Sequence, residues 1–309
     1  MQKQSYRLAV TLLVATLLLT TGLKAEAQTK PEASIKTLTV GAVFQDPREP
    51  VEEHFRPLTN YVARKLSPAG EIKGAVVIAP SAAQMMKLLE EKRVDFYMES
   101  PHPTYLINRS GTATLLLRRW KGGMAEYRSL IFTGKESGIA RLEDLRGKII
   151  AFEDAGSTSG YFLPKLFLLK KGFSVVEKPS PGAKVAAGEI GYTFAGTEKN
   201  VFNLVRQKKV AAGACSNDDH ASLDDNSKAA ISILGESESM PRHLVSVRKD
   251  LPEPVVKRLK EILLSMHRDD AGQKILRQTG NTTKFDVLPG GEELVRRKLV
   301  ELFRPRGNK

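Results

Sequence analysis

The chain has 309 residues, 41% hydrophobic and 27% charged, with a single cysteine and a formal net charge of +13. That length holds one large or two medium domains with real cores, and the ordinary composition, free of low-complexity tracts and short repeats, excludes disordered scaffolds and solenoids. One thiol, Cys215, cannot form an internal disulfide, so the fold rests on its core even in an oxidising compartment.

At the N-terminus Lys3 and Arg7 precede residues 8–19, apolar except for Thr11 and Thr16, and Ala25-Glu26-Ala27 supplies the small-x-small pattern cut by signal peptidase. The apolar run is shorter than the ~20 residues needed to span a bilayer. Residues 1–27 are therefore expected to be a cleaved signal peptide and the mature protein to be periplasmic, with no cysteine near the cut to take a lipid. Residues 1–27 hold three cations and one anion, which leaves +11 on the mature chain. Its Lys and Arg residues are scattered among Glu without interleaved aromatics, so no nucleic-acid partner is expected, and the field favours anionic solutes and surfaces.

After a polar stretch at 28–36, residues 38–44 read as a buried strand. Val51, Phe55, Leu58, Val62 and Leu66, at spacings of four, three, four and four, mark one face of a helix. A strand at 76–79, a helix at 82–92 capped by Ser81, a strand at 94–98 and a short helix around 104–109 follow. This β-α-β-α-β order predicts a parallel sheet with helices on both faces. The pattern then restarts: a strand at 127–133, a turn at 142–145, a strand at 148–152, and a helix from about 160 to 171 closed by Gly172. A helix near 199–208 leads into a strand at 210–215, where Cys215 reads as a small buried apolar residue. The tail carries a strand at 243–247 and helices at about 253–267 and 290–303. Two α/β lobes are expected, lobe one at 36–127 plus 243–309 and lobe two at 128–242, with connections near Tyr127 and Met240 and a ligand cleft between them.

Catalytic signatures are missing: there is no HExxH, CxxC, Walker loop or GxGxxG. His54, His102, His220, His243 and His267 lack metal-ligand spacing and read as surface or capping residues, and Asp218-Asp219 and Asp224-Asp225 read as solvated loops. Residues 156–160 imitate the nucleophile elbow Gly-x-Ser-x-Gly, but the central residue is Thr158. No catalytic residue, metal or cofactor is expected, and the chain reads as no enzyme. The informative segment is Phe152-Glu153-Asp154-Ala155-Gly156-Ser157-Thr158-Ser159-Gly160-Tyr161-Phe162-Leu163-Pro164, with three hydroxyls and two glycines between a strand and a helix. A helix start offers unpaired N–H groups and partial positive charge to an oxyanion. Ser and Thr are also ordinary N-caps, so the segment reads equally as a capped turn.

The segment resembles the Ser-Thr-Ser-Gly signature of the phosphate/phosphite/phosphonate-binding periplasmic family, including the downstream proline, here Pro164. The likeness extends to Leu38-Thr39-Val40-Gly41, Val94-Asp95-Phe96, Tyr127-Arg128-Ser129-Leu130-Ile131, residues 142–148, and Met240-Pro241 with residues 247–252. The resemblance implies a type II periplasmic-binding-protein fold, each lobe a mostly parallel sheet flanked by helices. It implies a monomer that captures a small phosphate-like or phosphonate-like anion and hands it to an ABC permease in the inner membrane. Carried over position by position, Ser157, Thr158 and Ser159 would hold the anion with their hydroxyls and Gly160 with its amide. Tyr127 is a candidate wall or donor, and equally a half-buried strand aromatic. Three departures bear on the ligand: Glu99 where an aromatic residue or leucine is common, Thr197 where many have histidine, and Cys215-Ser216-Asn217 where an acidic residue often follows. Glu99 is expected either to face solvent or a nearby cation, or to meet the amine of an aminoalkylphosphonate. A ligand sensor built on the same clamp is the alternative function, and a periplasmic hydrolase a remote one, since no nucleophile–base pair is evident.

Overall fold

Leu38 to Ala42 are buried without a break, which only a strand covered on both faces allows, and they form the middle of β1 (Thr37–Val43). The computed structural model describes residues 35–44 and 51–304, so the expected signal peptide at 1–27 lies outside the described residues. β1 is followed by α1 (Val51–Leu66), β2 (Lys73–Ala79), α2 (Ala82–Glu90), β3 (Phe96–Glu99), α3 (Pro101–Asn108) and β4 (Ala113–Lys121). Ser81 caps α2 as expected, its side chain accepting from the Gln84 N–H. Gly41 is required in β1, because a Cβ there would lie 2.7 Å from the Met85 methyl and 2.9 Å from Val94.

The chain then leaves the first sheet through β5 (Glu126–Tyr127) and enters a second. That sheet is built from β6 (Ser129–Gly134), β7 (Ile149–Phe152), β8 (Ser174–Glu177), β9 (Glu189–Phe194), β10 (Ala212–Ser216) and β11 (Ile231–Glu236). Its helices are α4 (Leu163–Lys170), α5 (Glu198–Arg206), α6 (Asn217–Ala221) and α7 (Asp225–Ala229). The return passes through β12 (Met240–Pro241), which pairs antiparallel with β5, placing Met240 opposite Tyr127. β13 (His243–Arg248), α8 (Glu253–Ser265), α9 (Asp270–Gln278), β14 (Thr282–Asp286) and α10 (Glu292–Phe303) complete the first lobe.

The first sheet has the order β14-β4-β13-β3-β1-β2 and the second β11-β6-β10-β7-β9-β8. Parallel pairing joins β3, β1 and β2 in one, and β10, β7, β9 and β8 in the other; antiparallel strands complete each sheet. This is the two-lobed α/β arrangement expected from the sequence. Several elements were not foreseen: β4, β8, β9, β11, β14 and α9. The strand expected at 127–133 breaks at Arg128, because Tyr127 pairs with Met240 while Ser129 begins the second sheet. Each lobe has its own core, and a further apolar cluster joins them: Leu163 of α4, with Phe162 and Leu166, packs with Tyr105, Val295, Leu299 and Phe303. Among the described residues no helix is long and apolar enough to cross a membrane.

The return of the chain into lobe one is pinned by one buried carboxylate. Asp95, 5% exposed, accepts the Thr39 N–H at 2.7 Å and Arg248 Nη2 at 3.0 Å. Arg248 is itself 8% exposed. Arg248 also pairs with Asp250 through Nη1, so losing Asp95 leaves the guanidinium one of its two carboxylates and strips the buried Thr39 amide of its acceptor. Asp95→Ala should therefore cost about 1–3 kcal/mol of stability, read as a lower midpoint in urea; an unchanged midpoint would refute this role.

Candidate ligand site in the interlobe cleft

Two strand-to-helix loops face each other across a cleft of about 980 Å3. From lobe one, β3 ends at Glu99, Ser100 takes the cap position, and Pro101 opens α3, where its missing N–H costs nothing. From lobe two, residues 153–162 lead from β7 into α4 through a wide turn, Thr158–Phe162, in which the Leu163 N–H reaches the Thr158 carbonyl. Such π-helical turns are rare and concentrate at functional sites.

Thr158 is the point of contact. It is 2% exposed, and its Oγ1 accepts the His102 N–H at 3.0 Å and lies 3.0 Å from the Ser100 hydroxyl. An N-terminal amide of α3 is thus occupied by an oxygen from the other lobe. Ser157 Oγ accepts the Gly160 N–H at 2.8 Å, so Ser157 is a cap and the Gly160 amide donates within the loop rather than into the cleft. Gly160 is fixed by crowding: a Cβ there would lie 2.5 Å from Glu153 Cβ. Ser159 is 8% exposed and lines the cleft.

Tyr127 forms the floor. It is 1% exposed, and among the described residues its hydroxyl has no hydrogen-bond partner; the Thr158 and Ser159 hydroxyls approach it without hydrogen-bond geometry. Burial pushes its phenol up to about 12, opposed by the Arg242 guanidinium, which lies 4.5 Å from the ring centre. Glu99 neither faces open solvent nor forms an ion pair among the described residues: its Oε1 accepts the Val43 N–H at 2.6 Å. Burial pushes Glu99 up to about 7, against the pull of the Val43 and Ser100 amides and of Arg119 and Lys121. Thr197 is an exposed lining residue that caps α5 by accepting the Asn200 N–H at 3.2 Å. Ser157, Thr158, Ser159, Tyr127, Glu99 and Thr197 thus share one cleft, while Gly160 is buried behind it.

Two sequence readings need correction. Asp218 and Asp219 are not in a solvated loop. They sit on α6 and line the cleft, Asp218 Oδ2 pairing with Arg242 Nε at 2.8 Å and Asp219 closing a capping box with Ser216. His102 is not at the surface: it is 6% exposed, stacked on Phe162 and edge-on to Phe303, and burial lowers it to about 3. Arg119, Lys121 and Arg242 also line the cleft and were missed. Their signal was the run Arg118-Arg119-Trp120-Lys121 at the end of an unrecognised strand, and Arg242 directly after the Met240-Pro241 connection. Another groove, about 1080 Å3, flanks α5 on lobe two, but it lacks the facing helix starts, and we place the site in the cleft.

Burial also pushes Glu153 up to about 7, opposed by the Ser157 hydroxyl and assisted by Asp154, Glu198 and Asp219. A carboxylate raised in this way adds stability that is full below its ordinary range and lost as pH climbs through about 7. His102 and His243 are lowered instead, which tilts the whole-protein profile the other way, so a difference isolates the carboxylate. Glu153→Gln does not titrate, and its melting temperature should gain on the wild type between pH 5 and pH 8. A gap that stays constant over that range would show that Glu153 is ordinary.

Residues 40–288 match the family described as ABC transporter, phosphonate, periplasmic substrate-binding protein. Among solved structures, XAC2383 from Xanthomonas citri bound to chloride is 32% identical, with 87% of this chain and 96% of that one covered and a TM-score of 0.78. The same protein bound to ATP is 31% identical over 87% and 96%, with a TM-score of 0.77. The binding-protein component of a Pseudomonas aeruginosa ABC phosphonate transporter, at 16% identity, 85% of each chain and a TM-score of 0.62, shares the fold. With the family match running from β1 to beyond β14, through both sheets and both facing loops, this chain belongs to the periplasmic substrate-binding proteins of ABC phosphonate transporters.

Proposed function

We propose that the protein is exported by cleavage of residues 1–27, captures a small organic phosphate or phosphonate in the interlobe cleft, and delivers it to an ABC permease in the inner membrane. The observation that carries this reading is the Tyr127 hydroxyl, buried and unpartnered where two helix starts converge. A buried donor without an acceptor costs free energy, and an oxyanion supplies the acceptor. Its oxygens would take the Tyr127 and Ser159 hydroxyls directly. They would also take over the His102 amide and Ser100 hydroxyl that now serve Thr158, freeing the Thr158 hydroxyl to donate to the ligand. Ser157 and Gly160 act behind these groups by holding the turn.

The cleft is too roomy for phosphate alone. At about 980 Å3 it matches the upper range for drug-sized ligands, which favours an anion carrying an organic portion. The ATP bound to the 31%-identical Xanthomonas citri protein points the same way.

Tyr127→Phe removes only the unpartnered hydroxyl, so the ligand-free melting temperature should be unchanged or slightly higher. Binding should weaken by tenfold or more, since a hydrogen bond to a charged group contributes about 1.5–3 kcal/mol. Calorimetric titration with alkylphosphonates and phosphate esters reads the affinity; full affinity in the variant would remove Tyr127 from the site. Export has its own check. N-terminal sequencing of the periplasmic protein should begin at or near Gln28, and a full-length form held in membranes would overturn cleavage.

A further inference from the structure

Lobe one brings to the cleft a concentration of positive charge that the oxyanion site above does not use. β4 delivers Arg119 and Lys121, and the start of β13 delivers His243 just after Arg242. Arg119 is 3% exposed and Arg242 8% exposed. The groups repel one another: burial lowers Arg119 to about 10, with Arg242 adding to the effect. Lys121 is lowered by burial and then by Arg242 and Arg119, and His243 by burial and all three cations.

Counter-charge on the same side is short. On lobe one Glu99 acts on Arg119 and Lys121 without touching either, because its carboxylate accepts from Val43; from across the cleft Asp218 pairs with Arg242 and, with Asp219, pulls on Lys121 without contact. Arg119 is anchored by neutral partners, Nε to Thr282 Oγ1 at 2.7 Å and Nη2 to the Thr279 carbonyl at 2.8 Å. These bonds fix the guanidinium without neutralising it. Among the described residues the Lys121 ammonium has no ion-pair or hydrogen-bond partner. Buried cations are ordinarily paired; of these three only Arg242 has a carboxylate partner, so the buried Arg119 guanidinium is held in place at a cost.

The opposite wall fixes the direction in which an anion can lie. Glu153, Asp154, Glu198, Asp218 and Asp219 line the lobe-two side, so a negative group is repelled there and attracted toward lobe one. We propose that Arg119, Lys121 and Arg242 form a second anion subsite on lobe one, which takes a carboxylate or second phosphoryl group of the same ligand. The preferred ligand class is then a small organic phosphate or phosphonate with two separated anionic groups, rather than a simple alkylphosphonate or an aminoalkylphosphonate. The inference rests on the oxyanion reading of the cleft and names the second pole of its ligand.

Three ligands of matched length test it by calorimetry: propylphosphonate, 3-aminopropylphosphonate and 3-phosphonopropionate. The expected order puts 3-phosphonopropionate at least tenfold tighter than propylphosphonate, with the amine weakest. Lys121→Ala should shrink the advantage of the carboxylate to a few-fold or less, and Lys121→Arg should keep it. The ligand-free melting temperature of Lys121→Ala should stay level or rise as repulsion is relieved, which separates lost binding from lost folding. Equal affinity for 3-phosphonopropionate and propylphosphonate overturns the second subsite while leaving the oxyanion reading intact. Tighter binding of the amine overturns the subsite and assigns the second pole to the acidic wall. No binding of any of the three overturns the oxyanion reading itself.

Discussion

One oxygen holds the two facing loops in register. Thr158 Oγ1 belongs to lobe two, yet it satisfies an amide at the start of α3 in lobe one and meets the Ser100 hydroxyl. The free amides of a helix start carry partial positive charge, so they attract any oxygen within reach. In this closed arrangement the protein supplies that oxygen itself. On the proposed reading, ligand affinity is a difference, the new bonds made by the oxyanion less those Thr158 gives up. The unpartnered Tyr127 hydroxyl tips that difference toward the ligand, because Thr158 does not satisfy it.

The register depends in turn on how the lobes are joined. Among the described residues only β5 and β12 pair between the two larger sheets, two residues each, and Tyr127 sits inside that ribbon. A ribbon so short resists little bending, and paired connections of this kind serve as hinges. What favours the closed form is the contact beyond it: Phe162 and Leu163 against Tyr105 and Phe303, and Arg242 against Asp218. Hinge, floor and ion pair meet within a few residues, since the guanidinium that pairs with Asp218 also covers the Tyr127 ring. A ligand that engages the floor thus bears directly on the geometry of closure.

Much of the scaffold was legible because its periodicity is local. β1 is buried throughout, α1 repeats its apolar face at helical spacing, and the Ser81 cap has a sequence signature. β4 escaped because Leu115, Leu116 and Leu117 mask its alternation, and its inward series ends in Arg119, a residue type seldom assigned to a core. With β4 went Arg119 and Lys121, two of the cations that line the cleft. The loop at 153–162 lines the cleft, but the separate parts its hydroxyls play were not legible: a hydroxyl that caps a turn and one that reaches the other lobe are the same residue types. Only the Ser157–Gly160 bond and the Thr158–His102 bond separate them. Asp218 looked solvated for a similar reason, since its partner Arg242 is 24 residues away and the contact is visible only in three dimensions.

Net charge is a poor guide to such a site. The chain carries +13, but exposed charges are screened beyond roughly 8 Å at physiological salt, so the distant lysines steer encounters and do not choose ligands. On the proposed reading selection falls to the two walls, whose side chains, mostly buried or partly buried, are screened less than the surface lysines. They carry opposite signs, cations on lobe one and carboxylates on lobe two, and they approach each other when the lobes close. Burial, with Asp154, Glu198 and Asp219 beside it, raises Glu153 to about 7, which lets it shed its charge near neutrality, whereas Arg119, lowered only to about 10, keeps its own. The walls are therefore unequal partners for an incoming ligand. Glu153 can be neutralised by a proton, but the Arg119 guanidinium, held by neutral partners, can be neutralised only by an anion.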